Sequence, residues 1–569
     1  MSKSLVDLCM FCIANNLENI KRAGSSLCKN DKELLLELLC DHDMFTTKRL
    51  PFVTKQLLSP SLTNIAFGYS GQVDDALLQK LALSRCKLSS FVLKNCPQVS
   101  DKGLSSLLKT QTDLELLHLK LSSYHSHLTD KCLSTLRSSK LVSVKLDHID
   151  QLSNNGIITL AKNCPNICEL MLPRCKGLND NCIETVTRTL LKGKLEVLEL
   201  SEIHLLTDLS LFAIGSGDCP KLRELLLVGC NMISGAGLLQ VTQGCPNLTS
   251  LDIGYCYRIL NDGRSLVGAN AFPSNLMELT LHGVQMSSEL LIDLVEKLDY
   301  IKELTLCGMK AVDDDSLEKI CSAAGRSLRS LDLSGCAVLT DAGLSAISKQ
   351  CLAIESLKVS FCPNITGKSL KSLFHCPKRG QEFKAFVANG CKMFSVDVIT
   401  EIAASCPSLL VLRLAGMKDV DDQLLTAVAE NCHQITRLSI KGCGLVSDVG
   451  VCELARMCPL EEVVVSGVSG LTDRSVFALA NCCGSTLKEV YASGCSMITQ
   501  AAVNYLKDCC LKRIYVEHRI PNADPDQVMA KNLDTGEFCR ADLLFSGPVV
   551  QDSDLPGMST TTTTTATTN

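Results

Sequence analysis

Cysteine is the residue type in this sequence with the most chemistry to offer, at 33 copies in 569 residues. Thiols can bridge, hold a metal or attack as nucleophiles, and each use requires its own spacing. Cys9-x-x-Cys12 has the spacing of a redox or metal pair, but it lacks a strand–helix–strand context and no second pair completes a zinc site. Most of the others fall into two series. One runs Cys96, Cys175, Cys230, Cys256, Cys336, Cys362, Cys391, Cys443 and Cys495. The second runs Cys164, Cys219, Cys245, Cys406 and Cys458, each before a proline, with Cys351 and Cys432 similarly placed. Both recur at about 26 residues, which is the mark of a repeat and not of a metal site.

Other reactive patterns are missing or already explained. There is no phosphate-binding G-x-x-x-x-G-K-[ST], no G-x-S-x-G and no H-E-x-x-H, and the ten histidines are dispersed. Gly235-Ala236-Gly237 lies at a helix entry of the repeat. The sequons at Asn247 and Asn364 fall on strand and cap positions. The expectation is a chain that is not an enzyme and needs no cofactor and no metal. A net charge of −5 argues against a nucleic-acid binder, and the apolar runs are too short to span a bilayer. The apolar run at Leu5–Ile13 lacks a cleavage site and leads into Asn15-Asn16. It does not read as a signal peptide, so reduced thiols in the cytoplasm or nucleus are expected.

The elements that carry the cysteines follow from the motif L-x-x-L-x-L. Clear copies begin at Leu222, Leu248, Leu328 and Leu409, and a degenerate one at Leu62 opens the array. Each L-x-L centre reads as a short strand with its leucines pointing inward. Gly-Cys follows, as in Gly335-Cys336, for the turn off the strand. Thr-Asp or Ser-Asp then caps a helix, as in Thr340-Asp341. Cys-Pro ends that helix. This pattern resembles the cysteine-containing leucine-rich repeat subfamily from about Leu62 to Val516. It implies an α/β leucine-rich repeat solenoid, a curved horseshoe of about 18 repeats of roughly 26 residues. The expected organisation is a helical region at 1–60, the solenoid at 61–518, a capping segment at 519–550 and a disordered Thr-rich tail at 551–569. The irregular stretches Tyr124–His127 and Pro377–Glu382 read as surface loops.

The N-terminal stretch breaks the repeat. Ser4–Leu17 is an amphipathic helix with Leu5, Leu8, Cys9, Cys12 and Ile13 on one face, and Asp31–Leu39 is a second. Terminal repeats need a cap, and these helices fit that role. The run from Ser4 to Ile13 also fits the BC box, and Leu50-Pro51-Phe52-Val53-Thr54-Lys55-Gln56-Leu57 fits a cullin-2 box. Their order before leucine-rich repeats resembles the VHL-box substrate receptors of cullin-2 ubiquitin ligases, especially the Zyg type. The resemblance implies that Leu5, Cys9 and Ile13 dock on elongin C, and that Leu50, Pro51, Val53 and Leu57 approach cullin-2. Spacing of i, i+4, i+8 suits a helix in a groove and suits burial against the first repeat equally well.

On such a solenoid a protein substrate would lie on the strand face. There Glu169, Glu199, Glu224, Asp252, Glu278, Glu303 and Asp332 form an acidic stripe suited to a basic segment. Tyr255 and Phe361 sit just past their strands as aromatic anchors. Lys358, Arg413, Arg437 and Lys441 make the later repeats more basic. The function expected is a non-catalytic substrate receptor of an elongin B/C–cullin-2 ligase. The alternatives are a repeat scaffold with no ligase link, or an F-box receptor. An F-box needs about forty helical residues after its Leu-Pro, and the first repeat begins too soon after Leu50-Pro51 to leave room.

Overall fold

Alternating leucines make each repeat a short strand, and the next repeat supplies its hydrogen-bonding neighbour. In the computed structural model, which describes residues 5–20, 26–41, 44–46, 48–121, 128–259, 272–273, 275–374, 377–510, 514–518, 529–531 and 538–540, eighteen strands run from Asn64–Gly68 to Tyr515–Glu517. Each is parallel to the next and in register, as in Leu304↔Leu331↔Leu357. The middle leucines, such as Leu198, Leu331 and Leu357, are fully buried beneath a row of helices. Losing one such side chain costs about 2–5 kcal/mol. The chain divides into two units, residues 1–520 and 521–569. In the second, Met529–Lys531 and Phe538–Arg540 pair antiparallel. Tyr124–His127, the tail 551–569 and most of 519–550 lie outside the described residues. Pro377–Glu382, expected as a loop, forms a short helix.

An exposed sheet edge invites unwanted pairing. The first strand's edge is closed by helix Lys29–Asp41. Elsewhere two successive N–H groups donate to the preceding repeat, as Ser89 and Ser90 do to the Thr63 carbonyl. At the first strand the Glu33 carboxylate takes that carbonyl's place, accepting from the N–H groups of Thr63 (2.5 Å) and Asn64 (2.8 Å). Cys40 Sγ meets the other end of the strand at Gly68 (3.3 Å).

The cap residues do two jobs. Thr340 accepts from the Ala342 N–H to start its own helix. Its own N–H (2.9 Å) and hydroxyl (2.6 Å) donate to Asp314 of the repeat before. The same aspartate clasp joins Asp75 to Ser100, Asp101 to Thr129, Asp130 to Ser153, Asp180 to Thr207 and Asp208 to Ser234. It recurs between Asp341 and Thr366, and along Asp422–Ser447, Asp448–Thr472 and Asp473–Thr499. Gly343 and Gly450 make room for it: a Cβ there would come within 2.6 Å and 2.7 Å of the carboxylates of Asp314 and Asp422. Between Ser153 and Asp180 an Asn154–Asn179 pair takes the clasp's place, and between Ser234 and Asp314, and again between Thr366 and Asp422, no such clasp forms among the described residues. Gly235, Ser288, Gly367 and Val396 hold the aspartate's position there.

The cysteines bind repeats together in a further way. Thiols of the first series donate to carbonyls of the preceding repeat, Cys175 to Leu146 (3.2 Å), Cys256 to Leu227 (3.0 Å) and Cys391 to Val359 (2.9 Å). In the second series Cys458 donates to the Cys432 carbonyl (3.3 Å). Burial pushes the Cys256 thiol up to about 12, so it keeps the proton it donates. Every described cysteine is unbridged.

Candidate functional surfaces: the N-terminal helices and the strand face

Helix Leu5–Asn15 buries Met10 and Ala14, with Leu17 just beyond it, against the rest of the N-terminal region. That face differs from the expected stripe. Cys9 and Cys12 are exposed, whereas Ile13 is half-buried against the core. The side chain of Leu5 lies outside the described residues. The three elongin candidates therefore do not form one open face: Cys9 points away from the core and Ile13 leans on it.

The cullin-facing candidates divide more sharply. Pro51 is exposed in the first turn of the short helix Leu50–Phe52, where its missing N–H is harmless. Leu50 packs partly on the core, and Val53 and Leu57 are fully buried. Their spacing serves burial beside the first repeat, so as folded neither is available to a partner.

The strand face presents two columns of side chains flanking the buried leucines. The first column reads Glu169, Val197, Glu224, Ser250, Glu278, Glu303. The second reads Met171, Glu199, Leu226, Asp252, Thr280, Thr305, Asp332. The acidic candidates thus share one surface. Glu278 and Glu303 stand directly opposite each other. Burial, with the Glu278 charge second, raises the Glu303 carboxyl, and burial with Glu199's charge raises Asp252. Not every carboxylate is unengaged: Lys145 pairs with Glu199 (3.1 Å) and Lys358 with Asp332 (3.4 Å).

Tyr255 and Phe361 take left-handed backbone, φ +58° and +57°, at the turn where most later repeats have glycine. For a bulky side chain this is uncommon. The Tyr255 hydroxyl meets His282 Nε2 (2.8 Å), and its ring lies over Gly283. Phe361 is 51% exposed and lies over Gly390, where a Cβ would come within 2.6 Å of the ring.

The later repeats are mixed rather than basic. Arg413 binds both oxygens of Glu462 (2.7 and 2.9 Å), and Arg437 approaches the same carboxylate. Burial lowers the Lys441 ammonium, with Glu517 opposing the shift. The concentrated positive charge lies instead at the start of the array, on Lys94, Lys120, Lys145 and Arg174. Carrying the same two columns back to the repeats at Leu88, Leu114 and Leu141 reaches Lys145 alone, because Lys94 and Lys120 stand two residues further along their strands.

An open cavity of about 560 Å³ lies along one edge of the strand face, with Lys221, Arg223, Asn247, Met277 and Tyr300 in its walls. Among the described residues no three of His, Cys, Asp and Glu gather to hold a metal. No described helix is long and apolar enough to cross a membrane.

Residues 326–348 match the family model described as Leucine Rich repeat. The fold is a leucine-rich repeat solenoid. Among curated proteins the chain is similar to DNA repair protein RAD7 of Saccharomyces cerevisiae, with 24% identity over 375 residues. That alignment covers 55% of this chain and 63% of RAD7, so the chain spans less than two thirds of that relative. Among solved structures, a chain of the yeast Rad7 and Elc1 complex aligns with TM-score 0.46 and 17% identity, covering 88% of this chain and 96% of that one. An internalin, InlF of Listeria monocytogenes, aligns with TM-score 0.31 and 13% identity, covering 71% and 85%.

Proposed function

We propose that this chain is the substrate-recognition subunit of an elongin-containing, cullin-based ubiquitin ligase. The N-terminal helix docks on elongin C, and the strand face holds the target. The observation that carries this reading is the division of helix Leu5–Asn15: Met10 and Ala14 anchor it to the body, while Cys9 and Cys12 remain exposed. A helix held in this way can offer its outer side to a groove. The sequence likeness to RAD7, a protein crystallised with Elc1, supports the same reading. The chain supplies proximity, and transfer chemistry belongs to its partners.

Cullin-2 is the cullin we propose, on the order of the two boxes. With Val53 and Leu57 buried, Pro51 is the candidate left to touch it. The test is capture of purified elongin B/C, with and without the cullin-2 N-terminal region, by the full chain. Leu5→Ala/Cys9→Ala should lose elongin by about tenfold or more at an unchanged melting temperature, a loss of about 1.4 kcal/mol. Pro51→Ala should weaken cullin capture alone. Failure of the wild type to capture elongin would leave a scaffold whose N-terminal helices serve only as a cap.

A further inference from the structure

The strand face carries a cationic block that the acidic stripe does not account for. Lys94 is the direct cross-strand partner of Lys120, and His118 is the partner of Lys145. Arg174 joins them from the next turn. Three of these four cations pair with two carboxylates: Asp147 binds Arg174 (2.7 Å) and Lys120 (3.4 Å), and Glu199 binds Lys145 (3.1 Å). Among the described residues Lys94 is in no ion pair. Like charges opposite each other on neighbouring strands destabilise the free protein. His118 Nε2 is buried without a hydrogen-bond partner, so the block also holds an unused polar group. Burial, with the charges of Lys94 and Lys145, pushes this imidazole down to about 4.

We propose that this block binds a phosphoryl group, carried on a side chain of an extended protein segment whose basic residues lie along the acidic part of the same face. Ammonium and guanidinium groups converging on one patch suit a doubly charged anion. The adjoining surface decides which source of phosphate fits. Glu224, Asp252, Glu278 and Glu303 would repel a nucleic acid and add nothing for a free anion, whereas they attract lysines or arginines of a peptide. Five strand spacings separate Lys145 from Glu278, about 24 Å at about 4.8 Å each, or roughly seven extended residues. This inference rests on the receptor reading only in calling the segment a substrate.

The test is fluorescence anisotropy on the full chain without elongin, so its failure leaves elongin capture untouched. The probe is a labelled peptide with one phosphoserine, a six-residue Gly/Ser spacer and three arginines. Unphosphorylated peptide, inorganic pyrophosphate and a single-stranded DNA dodecamer are the comparisons. Phosphorylation should tighten binding at least tenfold. Lys94→Ala/Lys145→Ala should remove that gain, while the unphosphorylated peptide binds at least as tightly as it does to wild type. Glu224→Gln/Glu278→Gln should weaken both peptides while keeping the gain. If the double lysine variant melts early, Lys94→Gln alone should lose at least threefold. Equal binding of the two peptides, or a gain that survives the lysine changes, overturns the proposal. So does pyrophosphate binding as tightly as the phosphopeptide, or DNA binding more tightly.

Discussion

The repeats holding Lys94 to Arg174 and those holding Glu224 to Glu303 belong to one parallel sheet, yet they handle charge in opposite ways. In the first, cations crowd round a buried carboxylate, and Asp147 lies between Lys120 and Arg174. In the second, carboxylates stand opposite each other, Glu278 against Glu303, and the energy is lost to repulsion and desolvation. The repeat therefore fixes where side chains point, and charge on the outward columns varies without disturbing the buried leucines.

The largest expected break in this contrast is Asp147→Asn. It removes the carboxylate shared by Lys120 and Arg174, whose side chains are only 11% and 12% exposed. Urea melts should show a loss of about 3 kcal/mol. Glu303→Gln, on the other side of the comparison, should stay within about 0.5 kcal/mol of wild type or gain.

The two regions should also respond oppositely to acid. His118 has a folded pKa of about 4, below its ordinary 6.5. The unfolded chain binds the proton first, so this contribution is fully present above pH 6.5 and is lost as pH falls toward 4. Between pH 7 and 5 it amounts to about 1–2 kcal/mol, and His118→Gln should remove that part of the slope. Glu303 and Asp252 have raised folded pKa values. There the folded chain takes the proton first, so their cost at pH 7 is relieved as pH falls through those values. Melting curves of Glu303→Gln should lack that relief. The smallest effect expected is Glu278→Gln, a gain of about 0.2 kcal/mol at pH 7 that shrinks at low pH.

Much of this was legible in the sequence because the repeat states its rule many times over. The L-x-L centres at Leu225, Leu331 and Leu412 all became strands, and Thr340-Asp341, Ser447-Asp448 and Thr472-Asp473 each opened a helix. What stayed hidden depends on neighbours. Spacing shows that Thr340 caps a helix, but not that Asp314 reaches across to hold it. The i, i+4 pair Val53 and Leu57 reads equally as an outward or an inward face, and only packing against the first repeat made it inward. Glycine looked necessary for the turn, yet Tyr255 and Phe361 adopt the same left-handed backbone. The inter-repeat hydrogen bonds from their N–H groups to His282 and Asn389 hold it there.

The missing aspartate clasps have a consequence for how such a stack comes apart. In a linear array stability is a sum of units and couplings between nearest neighbours, so unravelling halts or begins where coupling is weak. Among the described residues, 75–234, 314–366 and 422–499 are clasped stretches, with Asn154–Asn179 in place of one aspartate clasp, separated by two seams that show none. The first seam lies under the acidic stretch of the strand face, between Ser234 and Asp314. The stretch bearing Lys94 and Lys120 is clasped from repeat to repeat, at Asp75–Ser100 and Asp101–Thr129, and is expected to open last.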